Sequence, residues 1–205
     1  MNINKLFSSK LTWPPFGNKR LLPPDDAKTV FHLFDAIDVF VLKESGIGQR
    51  VAAAKKPVDS DVLRREIRNY YYNNPVMVDQ FIQSTEGADL TDEQKQLLIS
   101  WKNPLRGKFL CIKYYAKYAI VTPMDDEGAS RRYYAILGLS NDFDVMIPDK
   151  PPYLITTALL PYKDVIIWDG VIGHHGIRFG RSIANTLTKA YQRFKQDGRL
   201  ILRLS

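Results

Sequence analysis

Two adjacent histidines, His174 and His175, lie between Gly173 and Gly176, shortly after Asp169 and shortly before Arg178. An imidazole oriented by a carboxylate is a general acid or base, and a nearby guanidinium steadies a developing anion, so Asp169, His174 and His175 with Arg178 outline a hydrolase-like site. A nucleophile motif such as Gly-x-Ser-x-Gly is missing, and without it the same residues are accounted for by a turn. No catalytic residue is assigned on this basis; the three are the candidates if there is chemistry here. A metal is not expected either. Neighbouring side chains on a strand diverge, and the chain has no Cys pair and no His-Glu-x-x-His to supply further ligands. Nothing in the sequence calls for a cofactor. The third histidine, His32, falls in a strongly apolar helical stretch, where a structural role is expected.

A second kind of chemistry is anion binding. Gly176 to Ser182 leads into a helix N-terminus with Arg178 and Arg181 beside it, and free amides at such an end can hold a phosphate or carboxylate. Ser182 is the expected cap of that helix. Residues 1 to 104 carry 14 Lys or Arg against 13 Asp or Glu, whereas residues 105 to 205 carry 15 against 9, so the surplus sits late. Most of it follows Arg178: Arg181, Lys189, Arg193, Lys195, Arg199 and Arg203 face only Asp197. A basic stripe including Lys189 and Arg193 suits a nucleic acid, whose phosphates supply the affinity, or a protein partner; it also suits a plain solvated helix face. Tyr114, Tyr115, Tyr118, Tyr133, Tyr134 and Tyr162 fall in strand-like stretches, where they serve either base stacking or the rim of a core. Gly46-Ile47-Gly48 starts like a dinucleotide loop but follows a helix and lacks a third glycine, so it is discarded.

These residues must be positioned by a folded chain of ordinary composition. Apolar residues make up 45% and charged residues 25% of 205 positions, which excludes disorder and disulfide-scaffold classes. The one cysteine, Cys111, has no disulfide partner, lies in an apolar run, and points to the core of a cytoplasmic protein. No run reaches the ~20 apolar residues of a membrane helix, and Met1 to Lys10 lacks the apolar centre of a secretory signal.

Up to Asn103-Pro104 the pattern is helical. One helix runs from Pro24 to Gly46, another follows Asp59-Ser60 with Arg64, Arg65 and Arg68 on its outer face, a third follows Asn74-Pro75, and a fourth begins with a Thr91/Gln94 capping box. From Gly107 the period shortens to that of strands: 108 to 115, 118 to 122, 133 to 139, 153 to 160 and 165 to 168, with a helical turn between 140 and 152. A last helix carries Ile183, Leu187, Ala190, Tyr191 and Phe194 inward, and Arg199 to Leu204 reads as a final strand. The expected fold is α+β: N-terminal helices over residues 1 to 104, then a strongly bent antiparallel sheet or small barrel over 105 to 205 with one C-terminal amphipathic helix. The two parts form separate domains or one continuous one.

The stretch Thr157 to Gly170, with Leu160-Pro161-Tyr162-Lys163 and Ile166-Ile167-Trp168-Asp169-Gly170, resembles a hairpin of the form L-P-(F/Y)-K-x-x-I-I-(Y/W)-D-G in bacterial proteins without assigned function. Tyr134 to Ser140 is similar to what precedes it there, so the resemblance covers the C-terminal half. It implies a bacterial cytoplasmic interaction module and no catalytic residue. Some such proteins carry a cysteine-rich zinc tail, which this chain lacks, so no metal is carried over. The functional expectation is a non-catalytic module binding nucleic acid or protein through Arg178, Arg181, Ser182, Lys189 and Arg193, with oligomerisation open. The alternative is an enzyme built on Asp169, His174 and His175.

Overall fold

The computed structural model describes residues 20–54, 57–126, 131–141, 143–147, 150–197 and 200–204. They form two compact units: Pro24–Pro104, and Leu105 onward together with Arg20–Pro23.

The first unit is helical. Helix α1 (Pro24–Glu44) starts with Asp25 and Asp26 in its first turn, where carboxylates complement the helix dipole, and buries Val30, Leu33, Phe34, Ile37 and Val41 at helical spacing. Gly46 takes φ 75° and begins a short α2 (Ile47–Ala53) where the sequence reading had only a helix end. In α3 (Ser60–Asn73) the Asp59 side chain caps the first turn, accepting from the N–H groups of Asp61 and Val62 at 2.9 and 3.0 Å. Then come α4 (Val76–Gln83) and α5 (Asp92–Ser100), the latter entered through the expected capping box of Thr91 and Gln94. Aromatic packing ties the bundle together: Phe34 lies 4.7 Å from Trp101 and Phe40 lies 5.5 Å from Phe81. Arg68 departs from its expected solvent-facing position. It is buried, lies over the Phe34 ring at 3.9 Å and donates from Nη2 to Asp38 Oδ2 at 3.3 Å. Burial raises the Asp38 carboxyl above its ordinary range even against the pull of Arg68. His32, expected to serve a structural role on this apolar helix, is exposed.

The second unit is a closed barrel. Strands β1 (Leu105–Tyr114), β2 (Ala119–Pro123) and β3 (Tyr134–Leu137) form a meander; a short α6 (Phe143–Met146) precedes β4 (Tyr153–Tyr162) and β5 (Val165–Trp168). The neighbours run β1-β2-β3-β5-β4, and β4 pairs back onto β1, closing the ring; β6 (Gly173–Arg178) is added on β4. One pair departs from the all-antiparallel expectation. The hairpin β4–β5 turns β5 back beside β3 in the same direction, with Ile136 opposite Ile166 and Leu137 opposite Ile167. Strand β1 pairs with β4 along one edge and with β2 along the other, where a bulge between Cys111 and Lys113 shifts the register. By alternation Phe109 and Cys111 face inward, while Leu110 and Ile112 face outward and are covered by helix α7 (Arg181–Gln196).

Three local expectations change. The Gly-His-His-Gly segment is a strand, β6, rather than a turn, because its backbone pairs with β4 at Ile155 and Thr156. The anticipated final strand reduces to a parallel bridge between Ile201 and Tyr134. Helix α7 buries Tyr191 and Phe194 and partly Ala184, Leu187 and Thr188, leaving Ile183 and Ala190 exposed, so its packed face is rotated from the one expected. Among the described residues no helix is long and apolar enough to cross a membrane.

Candidate functional site

Asp169 sits where β5 ends and four residues bulge away before β6 begins. Its backbone N–H donates to the Ala158 carbonyl at 3.0 Å, keeping it in the ladder, and its side chain turns into the bulge. There Oδ1 accepts from the Val171 N–H at 3.1 Å and lies 3.2 Å from the Thr157 hydroxyl, which also reaches the Val171 carbonyl at 3.0 Å. This arrangement closes an Asx-type turn in a buried setting and gives the carboxylate a structural job. The two histidines are exposed and follow different partners. His175 Nε2 lies 2.8 Å from the Thr156 hydroxyl, whereas the His174 ring meets Tyr153 edge-on at 5.7 Å. Consecutive strand residues point to opposite faces, and His174 and His175 accordingly meet different partners.

The contact of His174 with Tyr153 leads to a polar cluster at the end of the barrel. The hydroxyls of Tyr153 and Tyr114 are hydrogen-bonded to each other, and Cys111 stands opposite Tyr153 on the next strand. Arg20 lies over the Tyr114 ring at 5.0 Å. The residue types suit nucleophilic chemistry, but the environment opposes it. Burial pushes the Cys111 thiol up to about 12, against smaller opposing effects of Tyr153, Tyr114 and Arg20, so the thiolate that would attack does not form near neutrality. Burial likewise raises the Tyr153 phenol. Among the described residues no group of three His, Cys, Asp or Glu side chains could hold a metal ion.

The anion candidates fare differently. Gly180, not Ser182, occupies the N-cap of α7, and no side chain caps the helix; the Ser182 carbonyl accepts from the Thr186 hydroxyl at 3.0 Å instead. Arg181 and Ser182 are both exposed there. The Arg178 side chain lies outside the described residues. Lys189 and Arg193, one turn apart on α7, project from its exposed face. Tyr191 and Phe194 anchor the opposite face against Tyr133, at ring distances of 5.3 and 4.8 Å, and burial raises the Tyr191 and Tyr133 phenols.

The end of α7 meets the β1–β2 turn, and here Lys113 and Lys117, which the sequence reading did not single out, join Tyr115, Tyr118 and Lys195. The turn is held by the Tyr115 N–H donating to the Tyr118 carbonyl at 2.9 Å, with Ala116 and Lys117 exposed at its tip. The half-buried rings of Tyr115 and Tyr118 lie 5.4 Å apart. Lys113 Nζ is 5.3 Å and Lys195 Nζ is 4.6 Å from the Tyr115 centroid. The tyrosines carried a signal in their spacing, Lys-Tyr-Tyr-Ala-Lys-Tyr, but the approach of Lys195 from a distant helix carried none.

Electrostatics separates this surface from the first unit. There Lys28, Lys43, Arg50, Arg64, Arg68 and Lys102 each meet a carboxylate. Among the described residues, Lys113, Lys117, Arg181, Lys189, Arg193 and Lys195 have no carboxylate within ion-pair distance. In the same unit Asp126 is taken by Arg132 and Asp164 by Arg203. No protein-family model, curated protein or solved structure matches this chain.

Proposed function

We propose that this protein is a non-catalytic module that binds nucleic acid through the exposed face of α7 and the adjoining β1–β2 turn. The observation that carries the reading is the set of cations with no carboxylate partner, Lys113, Lys117, Arg181, Lys189, Arg193 and Lys195, beside the half-buried Tyr115 and Tyr118. Unpaired ammonium and guanidinium groups are free to displace counterions from phosphates, which is the main source of such affinity, and nearby aromatic rings add stacking with bases. Solvated helix faces also carry cations, but usually interspersed with carboxylates, as in the first unit.

The architecture agrees at the level of analogy. One type of five-stranded Greek-key barrel binds oligonucleotides and oligosaccharides through the outer face of its second and third strands and two of its connecting loops. Fold alone assigns no function, so the weight rests on the side chains. Here α7 lies on that outer face, which leaves its own basic surface and the β1–β2 turn as the accessible equivalents. A reducing, cytoplasmic setting fits the lone buried thiol of Cys111, and a bacterial source fits the hairpin resemblance.

The experiment is binding of short fluorescent single- and double-stranded DNA and RNA at two salt concentrations. Micromolar or tighter binding that weakens steeply with salt supports the proposal. Absence of binding to all four at low salt rejects it, and turns attention to protein partners of the same basic surface.

A further inference from the structure

Lys113 and Lys195 come from elements far apart in the chain, yet both ammonium groups stand over one ring. The distances of 5.3 and 4.6 Å to the Tyr115 centroid place them within about 10 Å of each other, the sum of the two. Tyr115 itself is fixed from three directions. Its backbone N–H holds the turn, Tyr118 packs at 5.4 Å, and the α7 anchor Tyr191 packs at 6.1 Å. Each lysine gains a modest attraction from the ring's negative face, and each gives up some of the conformational freedom that makes surface lysines poor binders. Among the described residues neither lysine has a carboxylate within ion-pair distance.

From this geometry we infer that Lys113 and Lys195 form a two-ammonium clamp for a phosphate group, and that Tyr115 is the positioning residue that assembles it. Two pre-placed cations lose less conformational entropy on binding one shared anion than two free lysines do. The inference rests on the nucleic-acid reading for the source of that phosphate, a backbone phosphodiester. The chemistry of the clamp is equally that of a free polyphosphate. It predicts that Tyr115 matters through its ring face rather than its hydroxyl.

The test measures anisotropy of a short fluorescent poly-dT strand against salt concentration, and in parallel the binding of inorganic tripolyphosphate by calorimetry. The full-length chain is compared with Lys113→Gln, Lys195→Gln, the double variant, Tyr115→Phe and Tyr115→Leu. Each lysine variant is expected to weaken strand binding several-fold and to lower the salt slope by up to about 0.7, the value for one single-strand phosphate contact. The double variant is expected to lose less than the two single losses combined, because both lysines serve one phosphate. Tyr115→Phe keeps the ring and should match the parent. Tyr115→Leu keeps both lysines and should still shift toward the double lysine variant.

Lysine variants that bind like the parent overturn the clamp, and so does a lowered affinity in Tyr115→Phe equal to that in Tyr115→Leu. If Tyr115→Leu does not fold, as judged by circular dichroism, the lysine and Tyr115→Phe variants decide alone. Tripolyphosphate binding that depends on both lysines, without strand binding, keeps the clamp and rejects the nucleic-acid reading. Strand binding that depends on Lys189 and Arg193 but not on Lys113 and Lys195 does the reverse.

Discussion

Thr157 Oγ1 lies 3.2 Å from Asp169 Oδ1, and the two residues face each other across β4 and the bulge that divides β5 from β6. The same carboxylate oxygen receives the Val171 N–H. The bulge lets one edge of β4 pair first with β6 and then with β5. A residue that the sequence offers as an acid/base partner for a histidine is thereby committed to backbone geometry.

Removing that carboxylate should therefore unfold before it inactivates. Asp169→Ala leaves the Val171 N–H without its partner in a buried turn and should cost roughly 1–3 kcal/mol. Asp169→Asn keeps an acceptor and should cost less. Urea unfolding followed by circular dichroism measures both; equal stability of Asp169→Ala and the parent would refute the structural role.

On α7 the opposite pattern is expected. Lys189→Glu with Arg193→Glu alters two exposed side chains that pair with no described carboxylate, so stability should stay within about 0.5 kcal/mol. Nucleic-acid affinity should fall below detection in the anisotropy assay. Retained affinity would move the contact surface elsewhere.

Acid should loosen the β2–β3 connection through Asp126. The Arg132 side chain donates to both its carboxylate oxygens, from Nε to Oδ2 at 2.9 Å and from Nη2 to Oδ1 at 3.0 Å, and the Arg132 backbone N–H adds a third bond at 3.1 Å. Arg132 thus holds the carboxyl below its ordinary value of 3.8 in the folded state. A lowered folded value means that the charged form is favoured by folding. Its contribution is complete above about pH 5 and disappears as pH falls through the folded value. The stability difference between the parent and Asp126→Asn should accordingly be constant at neutral pH and close toward zero on acidification. A difference that stays level down to pH 2 contradicts this.

Cys111 offers a check on the core. With its thiol fully buried and pushed up to about 12, it should be silent to an aromatic disulfide reagent at pH 8 and react fully once the chain is unfolded in guanidinium. Rapid labelling of the native protein would place Cys111 outside the core.

Much of the local structure is legible along the chain because its determinants are short-range. Pro24 with Asp25 and Asp26 starts α1, Asp59 and Thr91 cap α3 and α5, and two β-branched runs form the β4–β5 hairpin, its turn shortened from the expected Pro161 to Asp164 to Lys163 and Asp164 because Pro161 and Tyr162 pair within β4. The same local patterns mislead where a partner lies far away. Arg68 has the polarity of a surface residue, and only Asp38 and Phe34 on α1 allow its burial. Gly173 to Gly176 has the glycine content of a turn, and only the free edge of β4 makes it a strand.

Residue order by itself thus determined the α+β division, the burial of Cys111 and the late concentration of positive charge, since composition and period act within a few residues of one another. Only the tertiary structure decided that β5 would lie parallel to β3, which face of α7 would be packed, and that Asp169 would serve a turn. It also brought Lys195 to the Tyr115 ring beside Lys113. These are questions of which surfaces meet, settled by how Tyr191 and Phe194 seat α7 on Leu110, Ile112 and Tyr133, and a pattern of polarity does not encode the choice among equally apolar partners.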